Sequence, residues 1–262
     1  MSPIVAAVVA AALAAAGWQA RALTGPGALA ATAVGTSLLT GAGWPGAAAL
    51  AAFFLSSSVV SRIDPPVRPA IGDPKGDRRD HWQVLANGGP AALGAWLARD
   101  QPSLGLWVAT ASLAAAAADT WATSVGAWSR AAPRHLLTWR PVPSGTNGGI
   151  TLIGCLGALA GAGLVAGAGG LIGGQPKLVG VAAAIGFSGM LLDSALGASV
   201  QGAFRCPTCA EPTEWQVHRC GTRTIRLGGL AWLDNDGVNL LATGFGALAG
   251  WCTWLWLVPG SP

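Results

Sequence analysis

Charge is what this chain has least of. Only 10% of its 262 residues are Asp, Glu, Lys or Arg, against about a quarter in soluble domains. So little charge cannot coat a water-facing surface, which excludes an ordinary soluble globular protein. The same shortage excludes disorder, because disordered chains are polar and highly charged. Glycine is abundant, at 39 residues, yet it keeps no triplet period, so a collagen-like chain is excluded. The five cysteines are odd in number, and Cys155 and Cys252 sit in apolar runs. A secreted disulfide scaffold does not fit that pattern. No Lys or Arg precedes Arg21, so residues 1–20 lack the basic stretch of a cleaved leader and read as a membrane span.

What remains is apolar. Hydrophobic residues make up 52% of the chain. Stretches long enough to cross a bilayer, about 20 residues each, recur throughout. They fall near 3–20, 24–43, 45–61, 82–98, 103–128, 148–173, 177–203 and 236–257. The expected fold is an all-α, polytopic integral membrane helix bundle of about eight transmembrane helices, one membrane domain over residues 1–262. Trp18, Trp44, Trp82, Trp96, Trp107 and Trp128 lie near the predicted ends, as interfacial anchors do. Three long loops, 62–81, 129–147 and 204–235, fall on one side. Of the 15 Lys and Arg residues, only Arg99 and Lys177 lie on the other. The positive-inside rule makes the loops cytoplasmic and both ends external. The net charge of +4 is thus a matter of topology and gives no argument for nucleic acid.

Ionisable groups inside a span cost a few kcal/mol or more and usually mark a pathway or site. Asp119 in the fifth span and Asp193 in the seventh stand at similar depths from the loop side. Asn87, Asp236 and Asn239 lie near the same surface, so four helices bring carboxylates and amides to one level. A lone Asn87 or Gln201 reads more readily as glue between helices. Two aspartates at matched depth, each followed by a hydroxyl (Thr120, Ser194), point to function. Facing carboxylates raise each other's pKa unless a cation lies between them, and all-oxygen ligands favour Mg²⁺. Asn87-Gly88-Gly89 and Asn147-Gly148-Gly149, with Asp119-Thr120 and Asp193-Ser194, also suggest a weak parallel internal repeat of spans four–five and six–seven, for which chance is the alternative.

The run from Val142 to Gly149 (VPSGTNGG) leads into the sixth span. Small hydroxyl and glycine residues at a helix start leave backbone N–H groups free for an anion, although a plain capped helix start looks the same. The P-loop lysine is missing, so a P-loop nucleotidase is not indicated. Arg140 precedes the run, and Lys75, Arg78 and Arg79 occupy another loop on the same side. Lipid headgroups are the alternative partner for those cations, but Asp73, Asp77 and Asp80 are interleaved with them. Cations, free amides and a carboxylate-held Mg²⁺ are the parts used for phosphoryl transfer. In the last loop, Cys206, Cys209, His218 and Cys220 form a C-x2-C-x8-H-x-C set. This reads either as structural Zn²⁺ or as a reduced, unliganded cluster. His81 and His135 read as solvated. Gly157-x-x-x-Gly161 and Gly163-x-x-x-Gly167 read as surfaces for close helix packing.

These segments resemble the transmembrane-protein-19 family of integral membrane proteins, which includes plant and cyanobacterial phytyl-phosphate kinases. The likeness runs over nearly the whole chain. It rests on Arg79-Asp80-His81-Trp82-Gln83 through Asn87-Gly88-Gly89, on Ala118-Asp119-Thr120-Trp121-Ala122-Thr123, and on Val142 to Gly149. Asp193-Ser194 with Gly197, Ala198 and Gln201 follows, and Leu233-Asp234-Asn235-Asp236 with Val238-Asn239 closes the set. The cysteine–histidine loop is also similar to the family's. Ser124 departs from it, since an acid usually follows Thr123 there.

The resemblance implies transfer of the terminal phosphoryl group of a nucleoside triphosphate, CTP foremost, to an isoprenyl monophosphate such as phytyl- or geranylgeranyl-phosphate. On that reading Asp119, Asp193 and Asp236 hold Mg²⁺, and Asn87 and Asn239 orient phosphate oxygens or metal-bound water. Lys75, Arg78, Arg79, Asp80, Gln83, Ser144, Gly145, Thr146, Asn147 and Gly148 meet the phosphates. The implied partners are the nucleotide, the lipid phosphate, the bilayer and, as an open alternative, a second copy of the chain in a homodimer. Two rival activities remain: a CTP-dependent lipid-phosphate nucleotidyltransferase, and a proton-coupled transporter.

Overall fold

The computed structural model describes residues 1–63 and 78–258. Among them are eight helices: α1 (Pro3–Gln19), α2 (Gly25–Gly41), α3 (Gly43–Val60), α4 (His81–Leu97), α5 (Pro102–Gly126), α6 (Leu152–Ile172), α7 (Pro176–Ser199) and α8 (Asn235–Leu257). Their starts follow local chemistry. Ser2, Thr24, Asp80, Thr151 and Asp234 each accept a backbone N–H at a helix N-terminus, and α5 and α7 open on a proline. By length and composition, α3, α6, α7 and α8 can cross a membrane. The helices α1, α2 and α4 have 17 residues each.

The longest helix, α5, does not meet that test of apolarity, and its position explains why. It is enclosed by α3, α4, α6, α7 and α8, and every residue from Leu104 to Ala118 is buried. Small residues permit the enclosure. A Cβ added at Gly186 of α7 would come within 2.8 Å of the Ala114 backbone, and one at Gly246 of α8 within 2.9 Å of the Ala111 carbonyl oxygen. Helix association in lipid relies on such close backbone approach. Gly157 and Gly161 behave as expected, meeting Val125 and Trp121 of α5. Gly163 and Gly167 do not, because nothing lies within 4 Å of a Cβ at either. They stand on another face of α6.

Polar ties cross the interior. Pro90 inside α4 has no N–H to offer the carbonyl of Ala86. The Thr243 hydroxyl of α8 donates to that oxygen at 2.7 Å, and Ser112 of α5 donates to the Thr243 carbonyl at 2.9 Å. A backbone group freed by proline is thus satisfied by a neighbouring helix, as a bilayer demands. Trp107 is not the interfacial anchor its position suggested: it is 1% exposed, and its indole donates to Gln175. Trp18, Trp44, Trp82 and Trp96 are exposed.

Two small sheets lie between the helices where plain loops were expected. Strands β1 (Arg134–His135) and β2 (Gly149–Ile150) pair antiparallel, and β3 (Ala203–Arg205) sits between β4 (Pro212–Thr213) and β5 (Ile225–Gly228). They trim two expected spans. Residues 148–151 belong to the β1–β2 turn region rather than to α6, and α7 stops at Ser199 instead of reaching 203. The suggested repeat is also inexact. Asn87 lies within α4, whereas Asn147 lies in the loop before α6.

Candidate functional site

A cavity of about 1050 Å³ opens at one end of the bundle. Its wall takes residues from the α1–α2 turn, the C-terminal ends of α3, α5 and α7, the starts of α4, α6 and α8, and the loops that follow α5 and α7. The loop ends therefore gather on one side, as the spacing of spans required.

Asp119 and Asp193 stand about two turns from the ends of α5 and α7, and the packing of those helices puts their carboxyl groups within hydrogen-bonding reach of each other. Asp193 Oδ2 is buried and has no hydrogen-bond partner. Among the described residues, no basic group pairs with either acid. Two adjacent carboxyls with an orphaned oxygen form a donor set that a hard divalent cation such as Mg²⁺ fits. Asp236 lines the same cavity in the first turn of α8. Among the described residues, however, three or more ligand atoms come within 4.8 Å of one another only in the cysteine–histidine group. Asp119 and Asp193 thus form the close pair, and Asp236 lines the same cavity without joining them in a group of three. Another acid, Glu214, also lines the cavity. Nothing in its sequence context sets it apart, because only the folding of the last loop brings it there.

Arg79 lines the same cavity. Its backbone is tied to the α1–α2 turn, donating to the Ala22 carbonyl and accepting from Thr24 N–H, each at 3.0 Å. Its guanidinium lies 5.2 Å and 5.3 Å from the Phe53 and Phe54 ring centres, a cation–π setting. Burial, with Arg62 adding, pushes its pKa down to about 10, so it remains a cation at neutral pH. Arg62 also lines the wall, whereas Arg78 and Arg140 are exposed and take no part in it. Lys75 lies outside the described residues.

Asp80 and Gln83 have a structural task. They form a capping box on α4, with Gln83 N–H donating to Asp80 Oδ1 at 2.9 Å and Asp80 N–H to Gln83 Oε1 at 3.2 Å. Gln83 still borders the cavity. Asn87 Nδ2 donates to the Gln83 carbonyl at 2.9 Å, which leaves its oxygen for a cation or water. Asn239 lines the cavity and is 7% exposed. Ser124, where the resemblance leads one to expect an acid, lies 3.4 Å from the Ser61 hydroxyl.

The turn Ser144–Gly149 lines the cavity, but it is not the first turn of α6, which Thr151 caps. It is clamped between β1 and α7. Leu136 N–H donates to the Gly148 carbonyl at 2.8 Å, and a Cβ at Gly148 would meet Ala198 at 2.4 Å and the Ser194 carbonyl at 2.8 Å. Gly145 and Gly148 have φ of 87° and 72°, values that favour glycine.

Beyond the cavity, Cys206, Cys209, His218 and Cys220 bring one ligand atom each within 4.8 Å. Cys206 and Cys220 sulfurs are 3.7 Å apart, and His218 Nδ1 lies 3.1 Å from the Cys220 sulfur. Tetrahedral zinc with arms of about 2.3 Å spaces sulfurs by about 3.8 Å. His218 Nε2 faces Glu211 at 3.2 Å, the outer carboxylate that orients a metal-binding imidazole. Hydrogen bonding with Thr222 and His218 pulls the Cys220 thiol down to about 6, while the neighbouring Cys220 and Cys206 sulfurs push Cys209 up to about 11. Such crowding resists several thiolates without a cation among them. The donor set fits Zn²⁺. Among the described residues, the His135 side chain meets Thr138, its Nδ1 3.2 Å from the hydroxyl.

No solved structure matches this chain. Among curated proteins, Protein PGR of Arabidopsis thaliana is 32% identical over 231 residues, covering 77% of this chain and 78% of its own. An uncharacterised membrane protein of Methanocaldococcus jannaschii is 31% identical over 240 residues, covering 90% of this chain and 88% of its own. Residues 8–247 match the family described as integral membrane protein DUF92, so the chain belongs to that family of integral membrane proteins, the one formed by transmembrane-protein-19-like proteins.

Proposed function

We propose that the chain is a membrane kinase that moves the terminal phosphoryl group of a nucleoside triphosphate, CTP the expected donor, onto an isoprenyl monophosphate such as phytyl- or geranylgeranyl-phosphate. The observation that carries this reading is the paired Asp119 and Asp193, with an orphaned oxygen, in one cavity with Arg79 at the end of an apolar bundle. An anionic oxygen of the acceptor phosphate attacks the terminal phosphorus. The bond to the bridging oxygen breaks, and the nucleoside diphosphate leaves with that electron pair. The product is the isoprenyl diphosphate. Since the nucleophile is already an anion, no general base is needed, in keeping with a cavity lined by no histidine among the described residues.

Each side chain then has a task. Asp119 and Asp193 would hold Mg²⁺, which when bound neutralises charge on the donor phosphates. Arg79 offsets charge that develops on the equatorial oxygens. The Ser144–Gly149 turn offers backbone N–H groups, and Asn87 offers its amide oxygen. The isoprenyl tail is accommodated among apolar helices. The preponderance of Lys and Arg on the loop side supports a cavity that faces the cytoplasm.

Transport is the weaker reading, because a carrier needs a polar path to both sides, whereas the acids inside the helices among the described residues, Asp119, Asp193 and Asp236, all line the cavity end. The deciding assay is purified protein in detergent with phytyl- or geranylgeranyl-phosphate, Mg²⁺ and each of CTP, ATP, GTP and UTP, read by mass. Prenyl diphosphate with nucleoside diphosphate is the expected outcome. A CMP-lipid with pyrophosphate would make the protein a nucleotidyltransferase, and no conversion with any donor would remove the kinase reading.

A further inference from the structure

Gln201 reads in the sequence as a residue that glues helices together, and the structure gives it a different character. It is 6% exposed and lines the cavity, yet its Nε2 is buried with no hydrogen-bond partner. A glue residue would have found one. Leaving a buried amide N–H unmet costs roughly 1–3 kcal/mol. Ser57, Thr110 and Trp128 also keep a buried polar atom unpartnered, but away from the cavity; Asp193 and Gln201 are the two such residues that line it, where an acceptor can arrive from outside the chain.

The donor is rigidly held. Gln201 N–H bonds to the Leu196 carbonyl at 3.1 Å, and on either side Leu230 N–H bonds to Val200 at 2.8 Å and Gly202 N–H to Leu233 at 2.9 Å. Gly229, at φ 69°, lies so close that an added Cβ would overlap the Gln201 carbonyl. Only glycine leaves that segment where it is.

Its surroundings indicate which acceptor. A Cβ at Gly197 would stand 3.2 Å from Gln201 Oε1, 3.5 Å from Gly148 N and 3.6 Å from Asn147 Cβ, so the oxygen side of the Gln201 carboxamide borders the same spot on α7 as the 144–149 turn, and Nε2 sits on the same planar group. In that turn the N–H groups of Gly145, Asn147 and Gly148 donate to no backbone carbonyl. Successive free amides around positive-φ glycines make a concavity suited to an anion. The Asp119–Asp193 pair lies in the same cavity, where it would repel a bare carboxylate but accept a phosphate accompanied by its cation.

We propose that Gln201 Nε2 and the N–H groups of Gly145, Asn147 and Gly148 form a neutral cradle for a phosphate group, with Gln201 as a ligand-binding residue that donates to a phosphate oxygen. This rests on the kinase reading only for which phosphate ester is held. The cavity then offers three kinds of group: cation-binding carboxylates, the Arg79 cation and uncharged donors. A neutral donor grips a phosphate in any charge state, so substrate and product are both held without a proton change at the protein.

The test uses full-length protein in detergent with pyrophosphate as the probe, followed by titration calorimetry, while Mn²⁺ binding is followed by electron paramagnetic resonance. Gln201→Met keeps the length of the side chain and removes the donor. It should weaken pyrophosphate binding about tenfold or more, the effect of losing a hydrogen bond to a charged group, and leave Mn²⁺ affinity unchanged. Gln201→Glu should weaken pyrophosphate further. Equal pyrophosphate affinity in wild type and Gln201→Met overturns the proposal, as does a wild type that binds none. Should Gln201→Met lose Mn²⁺ as well, Gln201→Asn decides. Selective loss of pyrophosphate supports the cradle, and loss of both ligands assigns Gln201 to the fold and overturns it. Turnover separates the two readings. Absence of phosphoryl transfer alongside Gln201-dependent pyrophosphate binding sinks the kinase alone, whereas turnover with an unmoved KM in Gln201→Met sinks the cradle alone.

Discussion

The two ends of this helix bundle use polar side chains in opposite ways. At the closed end, the Ser103 hydroxyl and the Trp107 indole both donate to Gln175, and the Trp254 indole donates to Ser103 at 3.1 Å. The polar atoms there answer one another, and α5, α7 and α8 are locked together. At the open end, Asp193 Oδ2 and Gln201 Nε2 are buried without partners, and Arg79 rests on aromatic rings. A low-dielectric interior makes both arrangements consequential: satisfied groups rigidify, and unsatisfied ones await a ligand. The closed end holds the helices so that the open end can keep its groups apart.

The contrast is broken most severely at the open end. Asp193→Asn should lower turnover on the order of 10³-fold, the scale of removing a principal electrostatic contact, with helix content and thermal transition kept. Near-normal turnover would remove Asp193 from the chemistry. At the closed end the signature reverses. Trp107→Ala should cost about 3–5 kcal/mol of stability, as for a large buried aromatic, seen as an earlier thermal transition, while turnover per folded molecule stays near wild type. A large loss of turnover at unchanged stability would show that the ends are not separate.

Smaller effects sharpen the picture. Glu211→Gln should weaken zinc affinity about 10–100-fold, as outer carboxylates do, measured by competition with a chelator. Protein that purifies without zinc and is indifferent to added zinc would count against the metal. Gly41→Ala should cost about 1–3 kcal/mol by overpacking, because its Cβ would overlap the Ala95 carbonyl; activity per folded molecule should hold.

Much of the framework was legible because periodicity and length are local. The eight helices begin and end within a few residues of the apolar runs, apart from the junctions at 148–151 and 200–203. The Asp119–Asp193 pair was legible because charge inside a span is rare enough to stand out. What escaped depends on contacts between distant residues. Glu214 looks like any loop acid until β3, β4 and β5 fold the loop over the cavity. The Asp80–Gln83 capping box did leave a signal, the D-x-x-Q spacing just ahead of an apolar run, which the reading as phosphate ligands passed over. Gly163 and Gly167 show the limit of spacing alone: the pattern names a smooth face without saying whether another helix meets it.

The burial of α5 bears on how the protein is made. A helix whose residues from Leu104 to Ala118 are all covered by other helices offers lipid no surface and gains little from contact with it. Its Thr110, Ser112 and Asp119 would be costly to strand among acyl chains. During synthesis, α5 emerges after α3 and α4 but before α6, α7 and α8, the helices that complete its enclosure. We infer that its stable insertion waits for those later helices. A chain truncated after residue 145 should therefore leave α5 poorly integrated, a state that alkali extraction or an engineered glycosylation acceptor on either flank would register. Full integration of the truncated chain would show that α5 needs no escort. On the inference that α5 waits for its enclosure, the helix carrying one half of the acidic pair settles in the membrane only with helices made after it, although it is fifth to be synthesised.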